Sequence, residues 1–302
     1  MNSLRISIVQ YLNTAPLVRG FTKGPLRGKY QLSFTVPSQC AEALRSGSVD
    51  VAIIPVIEYQ RIPDLLVLPN LSISSKKAVR SLLLVSRKPL PEVRRIALDR
   101  SSRSTQTMVR ILCAKRWNIA PEFLEANPDL PAMLWQADAA LLIGDPALRL
   151  ALMAETKGTS NAAGLACPAD VAGIPSSEPV FVYDVVEQWR SLTELPAVLA
   201  FWAARRDAVT PEVVRDFQDS LAFGMRQLKE ISAESSRELR LSAEKLERYL
   251  SENIHYMLDE ENLRGLRKYF DLAAELGLIG KARPVETAHF AVSPELAGVR
   301  RA

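Results

Sequence analysis

Apolar and polar residues alternate through residues 4–10, LRISIVQ, and again through 30–36, YQLSFTV, the two-residue period of a strand with one covered face. The pattern changes at 37–47, PSQCAEALRSG, to a helix with Pro37 and Ser38 at its start and Gly47 at its stop. Residues 49–55, VDVAIIP, form a short apolar run rich in β-branched side chains, the mark of a buried parallel strand. Residues 65–75, LLVLPNLSISS, lead to a longer strand at 78–86, AVRSLLLVS, and two prolines in 89–95, PLPEVRR, then break the chain. A second series follows the same rhythm. Strand 95–99 (RIALD), a serine-rich turn 100–105, helix 106–117, strand 122–126, a helix-like 131–136 and strand 138–144 come first; helix 145–155, strand 179–184 and helix 185–192 close it. Alternating strands and helices predict an α/β fold with largely parallel sheets.

Residues 196–206, PAVLAFWAARR, read as another long apolar strand. From Thr210 the periodicity is helical, in segments 211–232, 242–253 and 259–280, and from Lys281 it fades into an extended wrap or frayed end. Two strand–helix blocks joined by two long strands predict a two-lobed molecule with a helical C-terminal end, crossed by the chain near 86–91 and 193–197. Residues 1–88 and 197–302 would form one lobe and 89–196 the other. The ligand would sit in the cleft between them, at strand carboxyl ends.

Composition narrows the function. A hydrophobic share of 48% with 24% charged residues is the balance of a globular protein without membrane insertion, and no run approaches a membrane span. The net charge of +4 is spread over scattered arginines, which argues against nucleic acid and fits a small anionic ligand. Cys40, Cys113 and Cys167 show no CxxC spacing, and with an N-terminus that reads as strand rather than signal peptide they place the protein in the cytoplasm. His255 and His289 are the only histidines, too few for a histidine-rich metal centre, and both read as structural or surface residues.

Four loops fall at strand carboxyl ends: 10–16 (QYLNTAP), 53–59 (IIPVIEY), 99–107 (DRSSRSTQT) and 142–148 (LIGDPAL). Taken singly each has a plain structural reading. Thr14 and Pro16 open a helix, Ser104 caps helix 106–117, and Gly144-Asp145-Pro146 is a strand-to-helix turn. Together they line a cleft with neutral donors, and hydroxyls beside free N–H groups at a helix start suit a carboxylate. No GxGxxG or GxxxxGK[ST] points to a nucleotide, and no GxSxG, HExxH or Cys–His pair points to a nucleophile or metal. Glu58 and Asp145 are the nearest acids, each open to a role as base or as a structural group.

The segments SIVQYLNTAPL, SVDVAIIPVIEY, SISSKKAVRSLLLVS, SSRSTQTMVRIL, DAALLIGDPAL and LPAVLAFWAARRD resemble, in order, the chorismate dehydratase family of the futalosine route to menaquinone. The resemblance covers residues 4 to about 207 and is most specific in its YLNTAPL and LIGDPAL pair. It implies a type II periplasmic-binding-protein-like fold and a cofactor-independent loss of water from chorismate. Asn13 and Ser81 match family positions associated with the active site. An amide has no basic form near neutrality, so Asn13 orients substrate or its leaving hydroxyl, while Ser81 holds a carboxylate or relays a proton. Ser104 and Thr105, with Arg103 in support, would hold the ring carboxylate. Tyr11, Gly144 and Asp145 complete the expected binding set, Tyr11 either stacking on the ring or packing the lobe. The substrate's own enolpyruvyl carboxylate is the expected proton acceptor. Two rivals remain: a carboxylate-binding protein of the same fold without chemistry, and the related dihydroxynaphthoate-forming enzyme, which is expected to use a histidine in its cleft. The oligomeric state is left open.

Overall fold

Val51–Pro55 is buried at every position, and a strand without an exposed face needs cover on both sides. This strand, β3, is the centre of a five-stranded sheet. β1 (Arg5–Val9) lies on one side and β12 (Ala197–Arg205) on the other, with β2 (Gln31–Thr35) and β4 (Leu65–Ser75) at the edges, in the order β2-β1-β3-β12-β4. β1 runs parallel to β2 and β3, pairing Ile8 with Phe34 and Ile6 with Val51. β12 runs antiparallel to β3 and β4, with Phe201 opposite Ile54. The computed structural model describes residues 3–157, 159–161, 164–167, 180–288 and 290–299, so His289 and the first residue of the strand expected at 179–184 lie outside the described residues, as does the side chain of Cys167.

The second sheet repeats this plan. Its strands are β5 (Leu82–Ser86), β6 (Arg95–Asp99), β7 (Glu122–Ala126), β8 (Ala139–Ile143), β9 (Thr159–Asn161), β10 (Gly164–Cys167) and β11 (Val180–Asp184), in the order β7-β6-β8-β5-β11-β10-β9. β6 is parallel to β7 and β8, and β5 is antiparallel to β8 and β11. In each sheet three parallel strands are followed by an antiparallel one that the chain lays down just after crossing over. The first crossing is residues 76–81, not 86–91, because the segment expected as a strand from 78 joins its sheet only at Leu82. Arg80 stops it: the residue sits at φ 64, and its N–H donates to Asp184 Oδ2 at 2.6 Å instead of to a strand. The return crossing, 194–196, also starts on a left-handed residue, Glu194 at φ 60.

Helices cover the sheets. Around the first lie α1 (Ala15–Lys23), α2 (Pro37–Arg45) and the single turn α3 (Val56–Tyr59). The second carries α4 (Arg103–Leu112), α5 (Leu130–Gln136), α6 (Gly144–Lys157) and α7 (Val185–Thr193). α4 differs from the expected 106–117: it starts three residues earlier, with Ser102 rather than Ser104 at the cap position, and passes into a π-helical turn at Cys113–Trp117. The C-terminal helices are α8 (Pro211–Met225), α9 (Leu228–Leu239), α10 (Ala243–Arg248) with a π-helical turn Tyr249–Asn253, α11 (Glu260–Glu275) and α12 (Pro294–Val299). Thr210, Ser242 and Asp259 cap α8, α10 and α11 through side-chain oxygens that accept from Val213, Lys245 and Asn262 N–H. α8 lies directly on α1 because position 224 is glycine; a Cβ there would stand 2.0 Å from Pro16 O. The tail beyond Lys281 wraps rather than frays: Val67 N–H donates to Glu286 O at 2.9 Å, and the Arg283 guanidinium stacks 4.2 Å above the Tyr59 ring. Among the described residues no helix is long and apolar enough to cross a membrane.

Candidate active site

β1 ends in buried Val9, and the chain turns through Tyr11 into a 3-10 turn at Leu12–Thr14 before Pro16 starts α1 in earnest. This turn carries Asn13 to the first crossing, where Ser81 waits just ahead of β5. A third residue joins them. Tyr249, at the start of the π-helical turn after α10, donates its hydroxyl to Ser81 Oγ at 2.9 Å and is hydrogen-bonded by the Asn13 side chain. Burial holds the Tyr249 hydroxyl well above an ordinary phenol, against the opposite pull of Ser81 and Asn13, so it stays protonated as a donor. The polarity of the chain is then set. Tyr249 gives to Ser81, the Asn13 side chain bonds the same hydroxyl, and the Ser81 hydrogen is left for a further acceptor. Ser81 is held from behind as well, its carbonyl accepting from Gly144 N–H at 2.8 Å.

Gly144 and Asp145 bring the second lobe to the same place. Gly144 has φ +70, and a Cβ on it would lie 2.6 Å from the Tyr11 ring; the backbone conformation and the close approach both require glycine. Asp145, in the first turn of α6, does not cap its own helix. It accepts from Leu12 N–H at 3.0 Å, a direct bond between the lobes. Tyr11 stands between Gly144 and Ser101, its hydroxyl pushed up to about 12 chiefly by burial, with Ser101 opposing and Asp99 and Asp145 adding. Behind it Asp99 is fully buried at the end of β6. Its Oδ1 accepts from Ser101 N–H at 2.9 Å and from Ser101 Oγ at 2.7 Å, while Oδ2 has no hydrogen-bond partner. Tyr249 lies outside the four loops that sequence reasoning picks, while Asp99 and Ser101 lie within loop 99–107 but are not singled out there.

The acids here set a pH dependence of stability. Burial pushes Asp145 up from 3.8 to about 6, against the Leu12 N–H that favours the charge. Between those values the folded chain binds a proton that the unfolded chain has lost, so stability falls as pH rises through this window, by up to ~3 kcal/mol for one such group. Asp184, the half-buried cap of α7, is raised to about 6 by desolvation and adds in the same direction. Glu234, lowered to about 2 by its bonds to Arg19 and then Lys23, acts in the opposite sense but below its ordinary 4.5. Urea unfolding between pH 4 and 7 should therefore show wild-type stability decreasing, with a shallower slope in Asp145→Asn. Identical slopes would contradict the assignment.

Ser104 and Thr105 are buried in the first turn of α4, whose cap residue Ser102 makes no side-chain capping bond. Ser104 Oγ accepts from Ile57 N–H at 3.1 Å, tying α4 to α3 across the cleft, and the same side chain hydrogen-bonds the Tyr269 hydroxyl. Tyr269 donates to Ser104 O at 2.9 Å. The neighbouring Arg103 does not support this pair. Its Nη1 lies 3.0 Å from Oε2 of Glu58, which is wholly buried and also bonded by Arg45 and Arg61. That trio and the full burial of Glu58 favour a structural role for it over a role as base. His255 lies apart, 3.2 Å from Asp259. The structure thus gathers Tyr11, Asn13, Ser81, Gly144 and Asp145 with Tyr249 at the lobe boundary, sets Ser104 on the α3–α4 contact beside the buried Thr105, and turns Arg103 onto Glu58. Among the described residues no group of three His, Cys, Asp or Glu side chains could hold a metal ion.

Comparison with known proteins bears on the family and the fold. A family profile described as menaquinone biosynthesis matches residues 4–275. A curated relative, the chorismate dehydratase of Thermus thermophilus, is 29% identical over 278 residues, covering 90% of this chain and 95% of its own. Among solved structures, a protein from Archaeoglobus fulgidus superposes with a TM-score of 0.68 at 18% identity, over 92% of this chain and 98% of that one. The periplasmic aliphatic sulphonate binding protein of Escherichia coli superposes with a TM-score of 0.58 at 18% identity, over 97% and 96%. At such identities the two structures speak for the fold alone, which is that of the periplasmic binding proteins, two lobes with a cleft between.

Proposed function

The chain belongs to the menaquinone biosynthesis family, and from that premise we propose that it is a chorismate dehydratase of the futalosine route, a cofactor-independent hydro-lyase. The name of its Thermus thermophilus relative supports the reading, and the buried, unpaired Cys40 and Cys113 fit work in the cytoplasm. The single observation that carries it is the chain of hydrogen bonds from Asn13 through Tyr249 to Ser81 at the lobe boundary.

The reaction converts chorismate to 3-[(1-carboxyvinyl)oxy]benzoate and water. The C3–H bond is conjugated through C1=C2 to the ring carboxylate, so its electron pair flows toward that group as the proton leaves. Donors fixed around the carboxylate then hold the developing dienolate more tightly than the ground state. Ser104 and Thr105 fill this role, with the uncapped N–H groups of the first α4 turn. The pair returns to expel the C4 hydroxyl and the ring becomes aromatic. The hydrogen of Ser81, directed outward by Tyr249, stabilises the departing oxygen, and Asn13 orients it. With Glu58 held by three arginines, the substrate's enolpyruvyl carboxylate takes the C3 proton and returns it to the leaving hydroxide, which departs as water.

Purified protein incubated with chorismate alone should form the aromatic ether without added metal or nucleotide. Tight binding without conversion would instead favour a carboxylate receptor of the same fold. Asn13→Asp should keep measurable turnover, because position 13 orients through hydrogen bonds and carries no proton in the reaction. Complete loss of turnover by that variant, with chorismate still bound, would remove the orienting role.

A further inference from the structure

Away from Asn13, Ser81, Gly144 and Asp145, four residues of α4 point one way. Arg103, Gln106, Thr107 and Arg110 follow each other at helical spacing and line one wall of a hollow of about 380 Å³, with Arg61 opposite them beyond α3 and Glu125 of β7 at its rim. We propose that this hollow is a second ligand site, which takes a small oxyanion of charge two or more between the lobes.

The donors are already in place. Arg103 and Arg61 each use Nη1 on the buried Glu58, on Oε2 and Oε1 respectively, which fixes both guanidinium groups and leaves their remaining N–H groups toward the hollow. Arg45 also reaches Glu58, sharing itself with Glu42, so the single Glu58 charge is outnumbered. Arg110 is different. Its guanidinium lies 4.1 Å above the Phe123 ring, and among the described residues it has no hydrogen bond or ion pair to a carboxylate, though the charge of Glu125 acts on it. A planar guanidinium stacked on an aromatic face keeps its edge N–H groups free for a bidentate oxyanion. Glu125 is exposed, so it can turn to solvent or accept from a ligand hydroxyl. Arg61 belongs to the first lobe and the α4 residues to the second, so an anion bound here would join them, next to the Ser104–Ile57 contact. None of Asn13, Ser81, Gly144 and Asp145 lines the hollow.

Phosphate esters and polycarboxylates share this chemistry, and two probes separate them: inorganic phosphate and citrate, each titrated calorimetrically into the full chain. At least one should bind saturably with a dissociation constant below about 1 mM. Arg110→Met, which keeps the stem on Phe123, should weaken it by about tenfold or more while leaving chorismate turnover unchanged. Asn13→Ala should leave anion binding as it is. If Arg110→Met does not fold, Arg110→Lys, which keeps the charge without the planar fork, should weaken binding in the same direction. Absence of saturation by either anion, undiminished binding by the folded Arg110 variant, or loss of binding in Asn13→Ala, which would put the anion in the cleft, each overturns the proposal.

Discussion

Ser81→Ala lowers the kcat for chorismate dehydration by about 10²- to 10³-fold, the usual cost of deleting one preorganised donor to a developing oxyanion. The effect falls on kcat rather than KM, because the Ser81 hydrogen matters most when the C4–oxygen bond stretches. The fold should tolerate the change: Tyr249 keeps its bond to Asn13, and only a small buried side chain is shortened. Steady-state formation of the aromatic product, with melting measured in parallel, gives the answer. A kcat within about threefold of wild type would leave Ser81 as a spectator and break the chain of donors at its last link. Tyr249→Phe should fall between the two, since the serine hydroxyl survives but its hydrogen is no longer directed.

Glu58→Gln separates a structural acid from a catalytic one. Three arginines converge on a carboxylate with no exposed surface, and a neutral amide in its place leaves their charges without a counterpart. Breaking a buried ion network costs about 3–5 kcal/mol, so unfolding should move to much lower denaturant. Turnover per folded molecule should survive. The informative experiment is active-site titration combined with a denaturation curve: full activity in a weakened protein supports the assignment, whereas a stable, chorismate-binding but inert variant would make Glu58 the base and end substrate assistance.

Much of this architecture was legible in the chain because buried strands announce themselves. Val51–Pro55 and Ala139–Ile143 are apolar at every position, and the loops that follow them, 53–59 and 142–148, are where cleft residues were sought. The failures have local causes. The sequence puts the first crossing after Ser86 because residues 78–86 look like one strand, and no glycine marks the left-handed turn that Arg80 makes. Ser104 reads as a cap since hydroxyl residues usually sit there, but its oxygen serves a peptide N–H of the opposite lobe, a contact that only the folded chain contains. Tyr249 lies between Leu246 and Leu250 at the spacing of any core helix, so nothing local distinguishes it from packing. Its meaning comes from the distant crossing it touches. Sequence proximity puts Arg103 beside the substrate-binding hydroxyls, but helical geometry carries its guanidinium onto Glu58.

The position of β12 between β3 and β4 also governs how the molecule is born. A nascent chain that has released β1 through β4 holds an incomplete sheet, for the strand that separates two of its members is still about 120 residues from synthesis. The stretch between the crossings is unbroken and carries all the strands of its own sheet. On the ribosome the strands of the second sheet are therefore all made while the first sheet still lacks β12.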